Sequence, residues 1–255
     1  MNSKAVSEML SYIFVFSIII VTVSIVYTQV NNIIEDTKAK YQLEGLRQSF
    51  KRIQNVIYLV TYGKAPQQAL DVELQGGSMW IENSSFLRIR FDGIIKYEGY
   101  VNSLNYEFEN ERISFENGGV WEEYYGYQDI ISNPRIFLVY KEIENKTLLI
   151  VVITKINGNL SISGSGTVKL NIVQTNRDFF SSEEDGSPHE VEINISSYYN
   201  DAWFNFFDNK LRAQHRNPAG VDVNTTGSRV IAKITCDKFI LTTFEVEVEG
   251  VSSVM

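Results

Sequence analysis

Between Glu8 and Glu35 the sequence carries no Asp, Glu, Lys or Arg. These 26 residues are rich in Ile, Val, Phe and Ser and contain neither Pro nor Gly. A run of this length crosses a bilayer as a helix. It limits what the rest of the chain can be, namely a separate body attached to an apolar helix. A secretory signal peptide has a shorter apolar core that ends in a small-x-small cleavage site. Tyr27-Thr28-Gln29-Val30 offers no such site.

The helical spacing continues past Glu35 and Asp36. Leu43, Leu46, Phe50, Ile53, Ile57 and Val60 follow at steps of three and four, an apolar stripe on a charged helix. Gly63, just before Lys64-Ala65-Pro66, is a stop signal. The spacing predicts one helix over about residues 6–62. Its first half, apolar all round, needs lipid or other such helices, and its second half needs a folded domain. The apolar run from Leu43 to Val60 spans fewer than three heptads, which is short for a coiled coil.

From about residue 68 the period changes to two. Leu87-Ile89-Phe91, Tyr106-Phe108, Val168-Leu170-Ile172, Val191-Ile193-Ile195 and Phe244-Val246-Val248 alternate with polar residues. Each reads as a strand with one face buried and one wet. Thr147–Ile153 is apolar without alternation and is expected to be central, with the amphipathic helix as its cover. About ten strands, joined by turns such as Asn117-Gly118-Gly119 and Asn157-Gly158, predict antiparallel sheets in a sandwich. Tyr198–Ala213 breaks the pattern, with Ala202, Trp203, Phe206, Phe207 and Leu211 at helical spacing. The fold class is α+β: a long N-terminal helix, half membrane and half amphipathic, packed on an antiparallel β-sandwich-like domain.

The net charge of −8 argues against a nucleic-acid partner, which requires basic surface. The single cysteine, Cys236, excludes an internal disulfide and sits on an apolar strand face. His189 and His215 have no metal-ligand partner at helical or hairpin spacing. No serine elbow or nucleophilic triad is legible. Gly164-Ser165-Gly166 precedes a strand rather than a helix, so it reads as a turn and not a phosphate loop. Glu183, Glu184 and Asp185 lack the alternating spacing of a calcium loop and read as a solvated acidic loop. No catalytic residue, metal or cofactor is expected, and the chain reads as a non-enzyme. Trp121, Tyr124, Tyr125 and Tyr127 form an aromatic cluster among acidic residues. It suits a sugar-binding surface, a subunit contact or the core. N-glycosylation sequons stand at Asn83, Asn145, Asn159, Asn194 and Asn224, with Asn194 on the wet face of its strand and Asn224 in a polar loop.

The start, Lys4-Ala5-Val6-Ser7 directly before the apolar run, resembles the class III (prepilin-type) signal of archaeal type IV pilin-like proteins. The resemblance is carried by residues 4–30. It implies recognition of Lys4, Ala5, Val6 and Ser7 by a prepilin peptidase, with cleavage after Ala5 and retention of the helix. Glu8 resembles the acidic residue of pilins that pairs with the N-terminal amine of a neighbouring subunit. Here it is third after the cut rather than fifth. The organisation implied is a leader (1–5), a transmembrane and assembly helix (6–34), an amphipathic continuation (35–63) and a β-rich extracellular domain (64–255). The implied partners are the peptidase, a pilus assembly ATPase with its membrane platform, other pilin-like subunits and the membrane.

The expectation is therefore a single-pass cell-surface structural protein. It would be a pilin-like subunit, major, minor or non-filamentous, with its C-terminal domain outside. The alternative is an uncleaved membrane-anchored β-domain that binds a glycan or envelope component. Charge alone points the other way on orientation. Lys38, Lys40, Arg47, Lys51 and Arg52 follow the apolar run, and only Lys4 precedes it.

Overall fold

The computed structural model describes residues 3–63, 65–183, 187–215, 217 and 220–252; the side chains of 3–9, 32, 35, 36, 39 and 252 lie outside that description. The first element is a single helix, α1, Ser3–Tyr62. It ends as expected at Gly63, whose N–H donates to the Leu59 carbonyl at 2.8 Å. The chain divides into two compact units, residues 1–46 and 47–255.

In the second unit α1 continues as Arg47–Tyr62. Fourteen strands follow among the described residues. They are β1 (Gln67–Glu82), β2 (Phe86–Phe91), β3 (Ile94–Tyr100), β4 (Ser103–Phe108), β5 (Glu111–Glu116), β6 (Gly119–Tyr124), β7 (Tyr127–Ser132), β8 (Ile136–Lys141), β9 (Lys146–Asn157), β10 (Ser161–Ser181), β11 (His189–Ser196), β12 (Val221–Thr226), β13 (Arg229–Cys236) and β14 (Lys238–Ser252). They form a nine-stranded sheet, β7-β6-β5-β4-β1-β10-β14-β9-β8, and a five-stranded sheet, β12-β13-β11-β2-β3. About ten strands were expected. The extra ones are short hairpin strands such as β5–β7, whose mixed residues hide the period of two. The pairing is antiparallel except between β9 and β14, which run parallel.

The sheets face each other across one core. Leu149, Val151 and Ile153 of the larger sheet join Ile89, Ile193 and Ala232 of the smaller. The opposite face of the larger sheet receives the end of α1. Phe50, Ile53 and Ile57 are fully buried and Val60 is 1% exposed, and the Tyr62 ring meets Phe244 edge-on at 4.9 Å. Beneath α1 the larger sheet thus has cover on both faces, which explains the burial of that part.

The helix expected over Tyr198–Ala213 is present with a wider middle turn. It comprises α2 (Asn200–Asn205), a π-helical turn (Phe206–Leu211) and α3 (Arg212–Gln214). Ala202, Trp203, Phe206, Phe207 and Leu211 all face the inter-sheet core. Asn117 and Gly118, at φ 45° and 79°, make the two-residue β5–β6 turn. At Asn157-Gly158, glycine is required sterically: φ is +143°, and a Cβ would lie 2.2 Å from the Val248 carbonyl oxygen. Gly164 and Gly166 are not in a turn. They lie inside β10 at φ 117° and 136°, next to the register shift opposite Gln75 and Ser78, as glycines do in bulged strands.

Candidate functional site

Leu10–Asn31 is a 22-residue stretch of α1 with mean hydropathy 2.4, and none of its most apolar window is buried. At 1.5 Å per residue it measures about 33 Å, matching a hydrocarbon core of about 30 Å. Phe14, Phe16, Ile18 and Tyr27 are each 64–66% exposed. Four hydroxyls of this stretch bond to their own helix. Ser17, Thr22 and Ser24 donate to the carbonyls of Ile13, Ile18 and Ile20 at 2.7, 2.8 and 2.8 Å, and Thr28 donates to Ile25 at 2.9 Å. A hydroxyl bonded to its own helix loses little on entering apolar surroundings. The stretch therefore presents a continuous apolar exterior and can serve as an anchor. Lys4, Ala5, Val6, Ser7 and Glu8 have helical backbone, but their side chains lie outside the described residues.

The aromatic cluster separates into two parts. Trp121 is fully buried. Its ring lies 4.3 Å from that of Trp203, and its Nε1 donates to the Glu116 carbonyl at 3.0 Å. Tyr124, Tyr125 and Tyr127, at the β6–β7 turn, are 46%, 65% and 82% exposed. Alternation along β6 accounts for the split, because Trp121 points between the sheets and the turn carries the tyrosines out. Tyr125 lines a 370 Å³ cleft together with Glu107, Glu109, Glu111, Arg112, Glu123 and Tyr198. Arg112 is fixed there: its Nη2 donates to Glu82 Oε2 at 2.9 Å, and its guanidinium lies 4.3 Å from the Tyr198 ring centroid. Burial, then the neighbouring Glu122, raises the Glu111 carboxyl above its usual range, with Arg47 opposing. A hydrogen bond to Glu123, then burial, raises the Tyr198 phenol. Carboxylates, one held guanidinium and exposed phenol rings can together bind a polyhydroxylated ligand.

Among the described residues no group of three or more His, Cys, Asp or Glu is arranged to hold a metal. Of the acidic loop, Glu183 is exposed, and Glu184 and Asp185 lie outside the described residues. His189 Nδ1 is 2.7 Å from Asp92 Oδ2, and His215 Nε2 is 2.9 Å from the Thr235 carbonyl. Burial, with Asp237 and Asp92 adding to it, pushes the buried Cys236 thiol up to about 12. That fits the core role read from its strand.

The group that sequence reading missed is Glu116, which is 1% exposed. Its Oε2 accepts from Ser85 at 2.5 Å and Ser197 at 2.9 Å, and its Oε1 accepts from Trp203 Nε1 at 2.8 Å. Burial raises its pKa, and these three donors oppose the rise. Alternation in β5 places Glu116 on the face opposite Ile113 and Phe115, which reads as wet in a one-sided sheet. Here that face meets the second sheet.

Of the sequon asparagines, Asn83, Asn145, Asn159 and Asn224 are exposed and Asn194 is half-buried. Asn83 and Asn159 lie in connections at one end of the domain, where the Ile81 N–H donates to the Leu160 carbonyl at 3.0 Å. Asn194 is on the outer face of β11, as expected, in the middle strand of its sheet. Asn224 lies in edge strand β12 rather than in a loop. Its polar neighbours Asp222, Thr225 and Thr226 are the exposed residues of that edge, which is why the segment reads as a loop.

An uncharacterized protein of Archaeoglobus fulgidus is 28% identical, in an alignment covering 81% of this chain and 84% of that protein. No solved structure matches the chain. A family model, described as a family of unknown function, matches residues 4–249 and so takes in the apolar helix together with both sheets. The chain belongs to this family, DUF7289.

Proposed function

We propose that this protein is a cell-surface structural subunit of the type IV pilin-like kind, with no enzymatic role. A prepilin peptidase cuts after Ala5. The retained helix anchors the chain or assembles it with other pilin-like subunits through a pilus ATPase and membrane platform, and the β-domain stands outside. The observation that carries this reading is the Leu10–Asn31 stretch, apolar all round, with the hydroxyls of Ser17, Thr22, Ser24 and Thr28 turned back on their own helix. It lies directly behind Lys4-Ala5. A relative from an archaeon is in keeping with the archaeal form of that leader. Mass spectrometry of the N-terminus of the native protein tests it. A chain beginning at Val6 is the expected result, and a mature chain beginning at Met1 overturns it.

A second reading is favoured by the Tyr125–Arg112 cleft: an uncleaved, membrane-anchored β-domain that binds a glycan of the envelope. Glycan-array binding that is lost on Tyr125→Ala, with Met1 retained, would select this reading. Sugar attached at the exposed Asn83, Asn145, Asn159 and Asn224 accords with either reading.

A further inference from the structure

The face of the nine-stranded sheet that receives α1 is only partly covered. Within the second unit the helix packs over this face from Arg47, whose guanidinium binds Glu122 in β6, to Tyr62, which meets Phe244 in β14. The guanidinium of Arg135 lies 3.4 and 4.7 Å from the Tyr58 and Tyr62 ring centroids. That of Arg177 lies 5.4 Å from the Phe244 centroid. These arginines mark the border of the covered part.

Beyond that border the same face continues without cover. Register fixes which side chains share it. Thr242 and Ile240 lie two and four residues before Phe244, and Thr242 pairs with Val152 and Phe179. Ile240 pairs with Ile150, and Ile150 with Phe137. Leu148 pairs with Val139 in the next row. Four adjacent strands thus present Phe137, Val139, Leu148, Ile150, Ile240 and Phe179 side by side. Phe137, Val139 and Phe179 are 42%, 43% and 58% exposed. Contiguous apolar patches of this kind mark interaction surfaces.

We propose that this bare apolar sheet face is where a second copy of this chain docks, making a twofold contact between β-domains. Charge narrows the choice of occupant. The rim holds Lys141 paired with Glu144 at 3.1 Å, with Glu142, Asp178 and Lys238 nearby in sequence or register. A lipid surface favours a basic rim, whereas this rim carries both signs and is complementary to itself. Size agrees. The exposed parts of these side chains amount to roughly 400 Å² of apolar surface per copy, and two faces with their rims reach about 1,000 Å², the lower bound for a specific contact. Shape agrees as well, because sheet faces pack on each other at about 10 Å in sandwiches, and the two sheets of this domain already share one core. The proposal does not depend on leader cleavage or on Glu8.

Disulfide cross-linking of the full chain in mild detergent tests it. Cys236 is buried with its thiol pushed up to about 12, so the parent gives little background. Val139→Cys should yield covalent dimer at least tenfold more efficiently than Thr225→Cys, an exposed control in the other sheet. Adding Phe137→Lys to Val139→Cys should cut the dimer about tenfold and leave the melting curve unchanged. Adding Glu8→Gln should not reduce it, which separates this contact from the assembly role of the helix. Equal cross-linking at Val139→Cys and Thr225→Cys would overturn the proposal by showing that the helix alone brings copies together. A Val139→Cys thiol that stays monomeric, whether freely reactive or shielded only by added phosphatidylglycerol vesicles, would overturn it too.

Discussion

The Tyr58 hydroxyl donates to the Gly118 carbonyl at 2.6 Å, and the Gln54 amide donates to the same oxygen at 2.7 Å. Gly118 sits at φ +79° in the β5–β6 turn, so its carbonyl projects toward the helix. Gln54 is 4% exposed and also accepts from Ser132 Oγ at 2.7 Å. These bonds tie the helix to the β5–β6 turn and to the end of β7, and the apolar stripe alone would not fix its register. Tyr58→Phe leaves Gly118 one donor and should cost about 1 kcal/mol. Gln54→Ala leaves Ser132 unpaired as well and should cost about 1–3 kcal/mol. Urea denaturation of the two variants checks both the order and the sizes.

These bonds also show where sequence reading stops. The stripe Phe50-Ile53-Ile57-Val60 is legible because a helix repeats every 3.6 residues, and each of these four side chains is buried as its spacing implies. The inward faces of β2, β11 and β13 are legible by alternation. What alternation cannot supply is a second covered face. Glu116 and Ser114 stand where a one-sided sheet would be wet, yet both are buried under the other sheet. The same gap affects Thr147–Ile153. Leu149, Val151 and Ile153 are core as expected, but Leu148 and Ile150 are only half covered because α1 ends at Tyr62 before reaching them. Partners distant in sequence, such as Arg47 with Glu122 or His189 with Asp92, leave no local signal at all.

Under the pilin-like reading, Glu8 contributes a carboxylate at the edge of an apolar helix. Such a group is costly unless it is paired. Glu8→Gln should reduce assembly several-fold and leave membrane insertion and domain folding unchanged. Shearing and sedimentation of surface filaments, read beside the membrane-bound level of the protein, measures this. Assembly at the parent's level removes the pairing from the reading.

Gly158→Ala puts a methyl group where the Val248 carbonyl oxygen stands, 2.2 Å away, at a φ of +143°. Relief requires β9 or β14 to move, and these strands form the one parallel pair of the larger sheet. A loss of about 2–4 kcal/mol is expected. Gly93→Ala, also at positive φ but with open space around it, should cost about 1 kcal/mol from backbone strain alone. Thermal melts of the two variants separate collision from strain.

Glu116 gives the domain a pH dependence whose sign is fixed by its surroundings. The groups facing it are the Ser85 and Ser197 hydroxyls, the Trp203 indole and, at longer range, the Arg112 guanidinium. All four favour the carboxylate, but burial outweighs them and raises the folded pKa above its ordinary 4.5. A raised folded pKa means that the native state holds the proton more tightly than the unfolded chain. The contribution is fully present below pH 4.5 and is lost as pH rises through the folded pKa. Glu116→Gln keeps an oxygen for Trp203 and offers an amide to the serines, without a proton to lose. Relative to that variant, the parent should lose stability as pH rises from 4.5, at no more than about 1.4 kcal/mol per pH unit, and then level off. Glu116→Ala should be destabilised by about 2–4 kcal/mol at every pH, because the indole and both hydroxyls lose a buried acceptor. Urea denaturation at a series of pH values between 4 and 8 measures all three proteins. Parallel curves for the parent and Glu116→Gln would mean that the hydrogen bonds outweigh burial and that the carboxylate is ionised throughout.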